Sequence, residues 1–435
     1  MKVLVIGSGL VGTAAAIALQ RTDHDCTVYD QVNLPEAQQN TNDESTAVDF
    51  GETGGSVLLA PDALRVVRDL GLFQEVFDYS SPSYYTHFQK IDGRSQIVLK
   101  TQNLNARIEP EVEFQAPRQI MRSKLHRILV TAAYKAGVKT VTGKKAIHIE
   151  ETDQGYNVYF EDGTHVNGDL VVGADGIHSV TRRQIFGESC KAKFTGTIGY
   201  IGVVDLQANN IKLDQTLAFF IDRTKKRMVC TYKVSKKLAA VQVMTFDDPD
   251  PEEDGIYRPY SDLPKHATRL GNLINAWGLP SNVVEMMRKS FRIAPASIYD
   301  LPDLKTYHKG RVVLLGDSAH GMVPNAGLGL GAGLADVGVL AELMKRFPDD
   351  TDLDTVLRLY SKIRVPAATN YAKYSRNVAD QYYSATFGAT FNHFMMRIFV
   401  GAMNAGVPMA QPFKEVYDCS KVVIRAIEAE KFEQN

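Results

Sequence analysis

The chain has 435 residues, 44% of them hydrophobic and 23% charged, with a formal net charge of −1. That length exceeds one ordinary core and predicts two or three domains of ordinary globular composition. A near-zero net charge argues against a nucleic-acid or anionic-membrane partner.

Residues 2–6 form an apolar run that reads as a buried strand, 10–21 as a small-residue helix, and 26–29 as the next strand. This order is the opening of a βαβ unit. The run is too short and too quickly interrupted by glycine for a signal peptide. Between strand and helix lies Gly7-Ser8-Gly9-Leu10-Val11-Gly12, a GxGxxG loop. Gly7 suits a tight turn, Gly9 a close approach of pyrophosphate to backbone, and Gly12 close helix–strand packing, with the helix N-terminus facing the phosphates. Asp30 follows Gly12 by 18 residues, where a carboxylate can bond a ribose hydroxyl. The pattern predicts a dinucleotide without distinguishing FAD from NAD.

Residues 61–77 show helical spacing with proline in the first turn, and 119–136 read as a second amphipathic helix. Residues 139–160 read as strands and 169–173 as a short buried one. The latter runs into Gly-Ala-Asp175-Gly176, then Ser179 and Arg182. Asp175 there suits either ligand hydroxyls or helix capping.

From 191 to 246 the pattern switches to alternating apolar strands with turns near 208–210 and 223–226, predicting a second, mostly antiparallel sheet. Residues 311–315 return to the buried-strand type and end in Gly316-Asp317-Ser-Ala-His320. Pro324, Gly327, Leu328, Gly329, Gly331 and Gly333 then lead into a helix containing Asp336. Repeated glycines at a helix start expose N–H groups suited to a planar ring carrying negative charge. Beyond this point the chain reads as helical, with breaks near Pro366, Pro408 and Pro412 and a packed helix, not a membrane span, from 391 to 410. Cys26, Cys190, Cys230 and Cys419 are widely spaced without a metal pattern. They read as reduced thiols of a cytoplasmic protein, and no metal is expected.

Together these motifs resemble those of the single-component FAD-dependent aromatic hydroxylases of the para-hydroxybenzoate hydroxylase type. GSGLVG matches the family's GxGxxG, GADG its DG motif, and GDSAH with the following proline and glycines its GD motif. The resemblance implies an α/β fold with a Rossmann-like FAD-binding domain at 1–78, 106–184 and 291–350. An inserted, mostly antiparallel substrate sheet would take 79–105 and 185–290, and a C-terminal helical region 351–435. It implies that Gly7, Gly9, Leu10, Val11 and Gly12 hold the pyrophosphate and Asp30 the adenosine ribose. Arg122 would reach the ribose or phosphates, and Asp175 would serve FAD and a transient nicotinamide cofactor. Gly316 and Asp317 would hold the ribityl or pyrophosphate part, and Pro324, Gly327, Leu328 and Gly329 would face the ring. Leu328, Gly331 and Asp30 stand where the family often has Gln, Asn and Glu, and no arginine occurs between Gln31 and Ala63.

The implied reaction is hydroxylation of an aromatic or N-heterocyclic small molecule with NADPH or NADH and O2, through a flavin C4a-hydroperoxide. Oligomeric state, monomer or homodimer, stays open. Substrate contacts would come from Tyr200, Phe220 and Tyr232 of the inserted sheet, or from Tyr84, Tyr85 and His87, with core packing or surface exposure as the alternative for each. His320 is a candidate acid/base. An epoxidase or terpenoid-modifying monooxygenase shares these motifs. A halogenase is excluded, since its WxWxIP signature cannot occur where Trp277 is the only tryptophan. A flavin-binding regulator and an oxygen-independent flavin reductase are the remaining alternatives.

Overall fold

A computed structural model of the chain describes residues 1–32, 55–246, 259–383, 389–407 and 417–433. The apolar runs at 3–6, 170–173 and 312–314 lack the alternation of a half-exposed strand, and each is buried on both faces. They form the middle of a six-stranded sheet in the order His308–Lys309, Val312–Leu314, Leu170–Gly173, Lys2–Ile6, Asp25–Tyr29, Lys139–Val141. All neighbours are parallel except the His308–Lys309 edge. The Leu10–Gln20, Arg122–Lys135 and Gly329–Arg346 helices pack on this sheet in one large apolar core. The strand expectation for 139–160 resolves into Lys139–Val141 and a hairpin of Ala146–Thr152 with Gly155–Phe160.

The inserted sheet has seven strands in the order Arg292–Asp300, Lys193–Asp205, Leu238–Thr245, Arg227–Lys233, Leu217–Asp222, Thr86–Lys90, Ile97–Leu99. Only the Leu217–Asp222 pairing with Thr86–Lys90 is parallel. The sheet thus extends past residue 290, because Arg292–Asp300 pairs with Lys193–Asp205. Pleating sends successive side chains to opposite faces. One face, with Tyr200, Phe220 and Val241, packs on the Leu263–Ala276 and Ser281–Arg288 helices. The other turns toward Met121 at one end and Val323 and Tyr382 at the other.

Two expectations about the C-terminal part are corrected. Leu353–Tyr383 is one helix with Pro366 inside it. A proline there forfeits one helical hydrogen bond, but Val356, Leu357 and Tyr360 before it and Ala368 and Ala372 after it are all buried, which anchors both halves. The Ala389–Ala405 helix is docked chiefly by its C-terminal end. Asn404 bonds the Lys100 N–H and the Val98 carbonyl, and Arg107 donates to the carbonyls of Met403 and Asn404, while Phe394, Ile398 and Phe399 stay exposed. The breaks expected at Pro408 and Pro412 lie outside the described residues. Among those residues no helix is long and apolar enough to cross a membrane.

Candidate active site

Each glycine of the first loop answers to a different neighbour. Gly7 has φ of +102°, and a Cβ there would lie 2.5 Å from the Ala174 carbonyl oxygen. On Gly12 it would lie 2.0 Å from the Gly7 carbonyl oxygen, whereas on Gly9 it would meet no atom within 4 Å. Gly7 and Gly12 are therefore required by the protein, and Gly9 faces open space. Gly9 is also the N-cap of the Leu10–Gln20 helix, with no side-chain cap and no acid in the first turn, so the helix N-terminus is left for an anion.

Asp30 holds the loop from below. Its carboxylate accepts from the Ser8 N–H at 2.7 Å, the Ser8 hydroxyl at 2.7 Å and the Val32 N–H at 2.8 Å. His126 completes the grip by donating from Nε2 to the Ser8 carbonyl at 2.5 Å. Sequence reading missed His126; its position one turn after Arg122 on the same helix was the available signal.

In the second motif the capping alternative accounts for every hydrogen bond of Asp175. Its carboxylate accepts from the Ser179 hydroxyl at 2.5 Å and from the Thr181 N–H and hydroxyl at 3.0 and 3.1 Å, starting the Val180–Phe186 helix. Burial pushes this carboxyl up. Arg182, 1% exposed, reaches the carbonyls of Cys190, Pro302, Ser318 and Ala319. It fastens the second motif to the turn of the third.

That turn rests on a buried ionic network. The Gly316 N–H donates to Asp336 Oδ2 at 2.7 Å, His320 Nε2 donates to the same oxygen at 2.7 Å, and Arg364 Nε donates to Oδ1 at 2.7 Å. Burial works to raise the Asp336 carboxyl, but His320 and Arg364 outweigh it and hold the group below the usual range. His320, buried with Nε2 committed to Asp336, is thus corrected from acid/base candidate to a support of the Gly316–Asp317 turn.

Asp317 behaves differently. Its side chain is reached by solvent, yet surrounding protein pushes its carboxyl up against the opposing pull of His320 and Arg122. Those two facts together describe the floor of a cleft with Arg122 nearby. A Cβ on Gly329 would lie 3.9 Å from Asp317 Oδ1, so the carboxylate sits at the start of the Gly329–Arg346 helix. That helix has neither a side-chain cap nor an acid in its first turn. The preceding turn runs Pro324–Ala326 into Gly327 at φ of +68°, against Leu58.

The later glycines have separate reasons. Gly333 lets the helix pass Val11 and Gly316, since a Cβ would lie 2.6 Å from Val11 Cγ2 and 3.1 Å from the Gly316 Cα. Gly316 likewise abuts Val11. The two glycine motifs are therefore in van der Waals contact, with Gly9 of the first facing open space and Asp317 of the second reached by solvent. Gly331 leaves room for Asp62, whose Oδ1 would be 3.4 Å from a Cβ there. Sequence reading missed Asp62, which accepts from the Ala63 N–H and the Tyr371 hydroxyl and whose carboxyl burial pushes up. Its place just after Pro61 gives it no local mark beyond that of an acid in the first turn of a helix.

The sheet-borne candidates divide by face. Tyr200 and Phe220 lie in the core with Leu270, Ile274 and Trp277, on the face away from the cleft, and are corrected to packing residues. Tyr84 and Tyr85 are exposed, and His87 is taken up by Gln96. Tyr232 is on the cleft side, buried beside Met121, and burial pushes its hydroxyl up. Also on this side, a cavity of about 740 Å³ opens between Val323, Asn325, Ile298, Phe246 and Tyr383. Among the described residues no group of side chains is arranged to hold a metal ion.

This architecture recurs in known proteins. The chain matches the FAD binding domain family over residues 1–375. It is 29% identical to the salicylate hydroxylase of Pseudomonas putida over 409 residues, covering 88% of this chain and 86% of that one. It is 27% identical to the 6-methylsalicylate 1-monooxygenase of Aspergillus terreus over 395 residues, 87% of this chain and 82% of that one. Among solved structures, Klebsiella pneumoniae HpxO complexed with FAD and uric acid shares the fold at a TM-score of 0.74 and 21% identity, over 95% of this chain and 97% of that one. From its matched sequence and its cleft, the chain belongs to the FAD binding domain family, in the group A flavoprotein monooxygenase branch of FAD-dependent, NAD(P)H-using enzymes.

Proposed function

We propose that the protein hydroxylates a small aromatic or N-heterocyclic compound, using NADPH or NADH and O2. The observation that carries this reading is the contact of Gly316 and Gly333 with Val11. It merges a phosphate-type loop and a ring-type helix start into one cleft beneath the apolar face of a sheet. The residues fit FAD: two uncapped helix N-termini, an open direction at Gly9 and a solvent-reached carboxylate at Asp317.

In this assignment the N–H groups of Gly9, Leu10, Val11 and Gly12 take the pyrophosphate. Asp30, held by Ser8, takes the adenosine ribose. Arg122 and Asp317 take the central part of the cofactor, and Pro324 and the Gly327–Gly329 turn flank the ring. FAD, when bound, supplies reduction by NAD(P)H and activation of O2. The protein supplies the rest. The helix dipole at Gly329 favours negative charge at the ring edge, while the sheet and the Pro324 turn exclude water and fix the substrate. The relatives named for salicylate and 6-methylsalicylate support an aromatic substrate class. The test is NAD(P)H oxidation by the flavin-loaded protein across a panel of aromatic and heterocyclic compounds. Stimulation with a hydroxylated product supports the reading, and an oxygenated but epoxidised product would replace hydroxylation with epoxidation.

A further inference from the structure

The cleft-facing side of the inserted sheet is packed along two lines, and the row between them is covered only in part. At one end Val203, Leu217, Tyr232 and Ala240 pack with Met121. At the other, Ile221, Met228, Met244 and Ala296 pack with Val323 and Tyr382. The pairing register places a single cross-strand row between these lines. Ile201 faces Gln242, Gln242 faces Cys230, and Cys230 faces Phe219. Cys230 is buried in the Met121 cluster and Ile201 and Phe219 pack against its edge, but Ile201, Gln242 and Phe219 all remain partly exposed. At its outer end Phe219 stacks on Phe88, with ring centroids 5.5 Å apart and planes 14° from parallel. Near Ile201 the backbone of Gly55 comes so close that a Cβ there would lie 2.2 Å from Ile201 Cγ2.

The row carries no formal charge. Its polar atoms are the Gln242 amide and the Cys230 thiol, and burial pushes that thiol up, so it stays protonated. Beyond the row, Arg223, two residues past Ile221, is committed to the Gln381 carbonyl and Met396 sulfur and lines a separate pocket with Lys90, while Arg292, which pairs with Val203, is buried. On the wall of the adjoining cavity Arg376 is paired with Asp300 and Asp303, and Lys226 lies over the Phe246 ring. A carboxylate or other anion brought against the row would lose its hydration without gaining a cation within the row. A neutral ring would bury its faces on Ile201 and Phe219 and present one hydrogen-bonding edge to an amide that can both donate and accept.

We propose that Gln242 is the specificity-determining residue of the substrate site, and that the substrate is an uncharged aromatic or heteroaromatic compound with one hydroxyl, lactam or ring N–H edge, not an aromatic acid. The proposal rests on the monooxygenase reading above and narrows its substrate.

The test compares matched pairs on the FAD-loaded enzyme: naphthol against hydroxynaphthoate, and hydroxyquinoline against its carboxylate. Readouts are the Kd from perturbation of the flavin absorbance and stimulation of NAD(P)H oxidation. Gln242→Leu and Gln242→Arg are measured alongside, with flavin content and melting temperature as controls for folding. The expected result is at least tenfold tighter binding of the neutral member of each pair. Gln242→Leu should lose about tenfold of that affinity, and Gln242→Arg should shift preference toward the acids. Equal or tighter binding of the carboxylates by the wild type overturns the substrate class while leaving the monooxygenase reading intact. A Gln242→Leu variant that binds the neutral compounds as the wild type does overturns the role of Gln242. Absence of any flavin perturbation or stimulation by either set overturns the monooxygenase reading, and this proposal with it.

Discussion

Replacing Gly9 and Gly12 one at a time by alanine separates a glycine kept for a ligand from a glycine kept for the fold. Gly9 has φ of −63°, ordinary for alanine, and a Cβ there meets no protein atom within 4 Å. The free protein should therefore keep its stability or gain about 0.4–1 kcal/mol from the stiffer unfolded chain. Where a pyrophosphate comes against the backbone, the methyl holds it off the helix N–H groups. Losing charge-assisted hydrogen bonds of about 1.5–3 kcal/mol then weakens FAD binding by roughly tenfold to a hundredfold. Gly12→Ala acts on the fold, since its Cβ would lie 2.0 Å from the Gly7 carbonyl oxygen. Relieving that overlap moves helix from strand by about 1 Å and costs roughly 1–3 kcal/mol or more, as overpacking does. The assay is thermal melting of the flavin-free proteins together with FAD titration followed by quenching of flavin fluorescence. Gly9→Ala should melt like the wild type and bind FAD weakly, and Gly12→Ala should already melt lower without flavin. Gly9→Ala binding FAD with wild-type affinity would refute the placing of the pyrophosphate on this loop.

Other expectations concern the cleft floor and the sheet. Asp317→Ala should purify with little FAD, as seen in its absorbance at flavin wavelengths; full occupancy would remove Asp317 from the cofactor site. Asp336→Asn should destabilise the protein by about 3–5 kcal/mol in denaturant melts, because it leaves the buried Arg364 without its counter-charge. The Asp336 carboxyl is held below its unfolded value, so its contribution is present above about pH 4 and lost as pH falls below that. Flavin release on acidification should show that step in the wild type and lack it in Asp336→Asn, and identical acid profiles would contradict the network's role. Phe220→Ala should cost about 3–5 kcal/mol of stability with an unchanged substrate profile, since the ring lies in the helix-covered core; an altered profile would return Phe220 to the substrate site.

How far the sequence could be read differed from one part of the cleft to another. The cofactor end was legible because its chemistry is carried by backbone, and the need for backbone access writes glycines into fixed places. Gly7, Gly12 and Gly333 each sit where a Cβ would collide, Gly316 at φ of +63° where it would press on Val11, and Gly9 where it would meet nothing. Partners that hold these loops were harder to see. His126, Asp62 and Arg364 act across long sequence separations, and each has a commonplace local reading as a helix residue. On the sheet, alternation predicted two faces but not which one meets the cleft. A shift of one residue separates the packed Tyr200 from the open Ile201, and only the register with Gln242 and the packing of Met121 and Val323 resolves it. The reading of Pro366 as a break failed for a related reason: buried residues on both sides outweigh a local preference.

The central claim is that the merged glycine motifs serve an oxygen-inserting enzyme, and mass spectrometry of the product formed under oxygen-18 gas tests it most directly. The flavin-loaded protein, NAD(P)H and a stimulating ring compound should yield a product carrying one labelled oxygen atom, with no product in the absence of O2. The same product formed anaerobically, or oxygen drawn from water, would contradict the account.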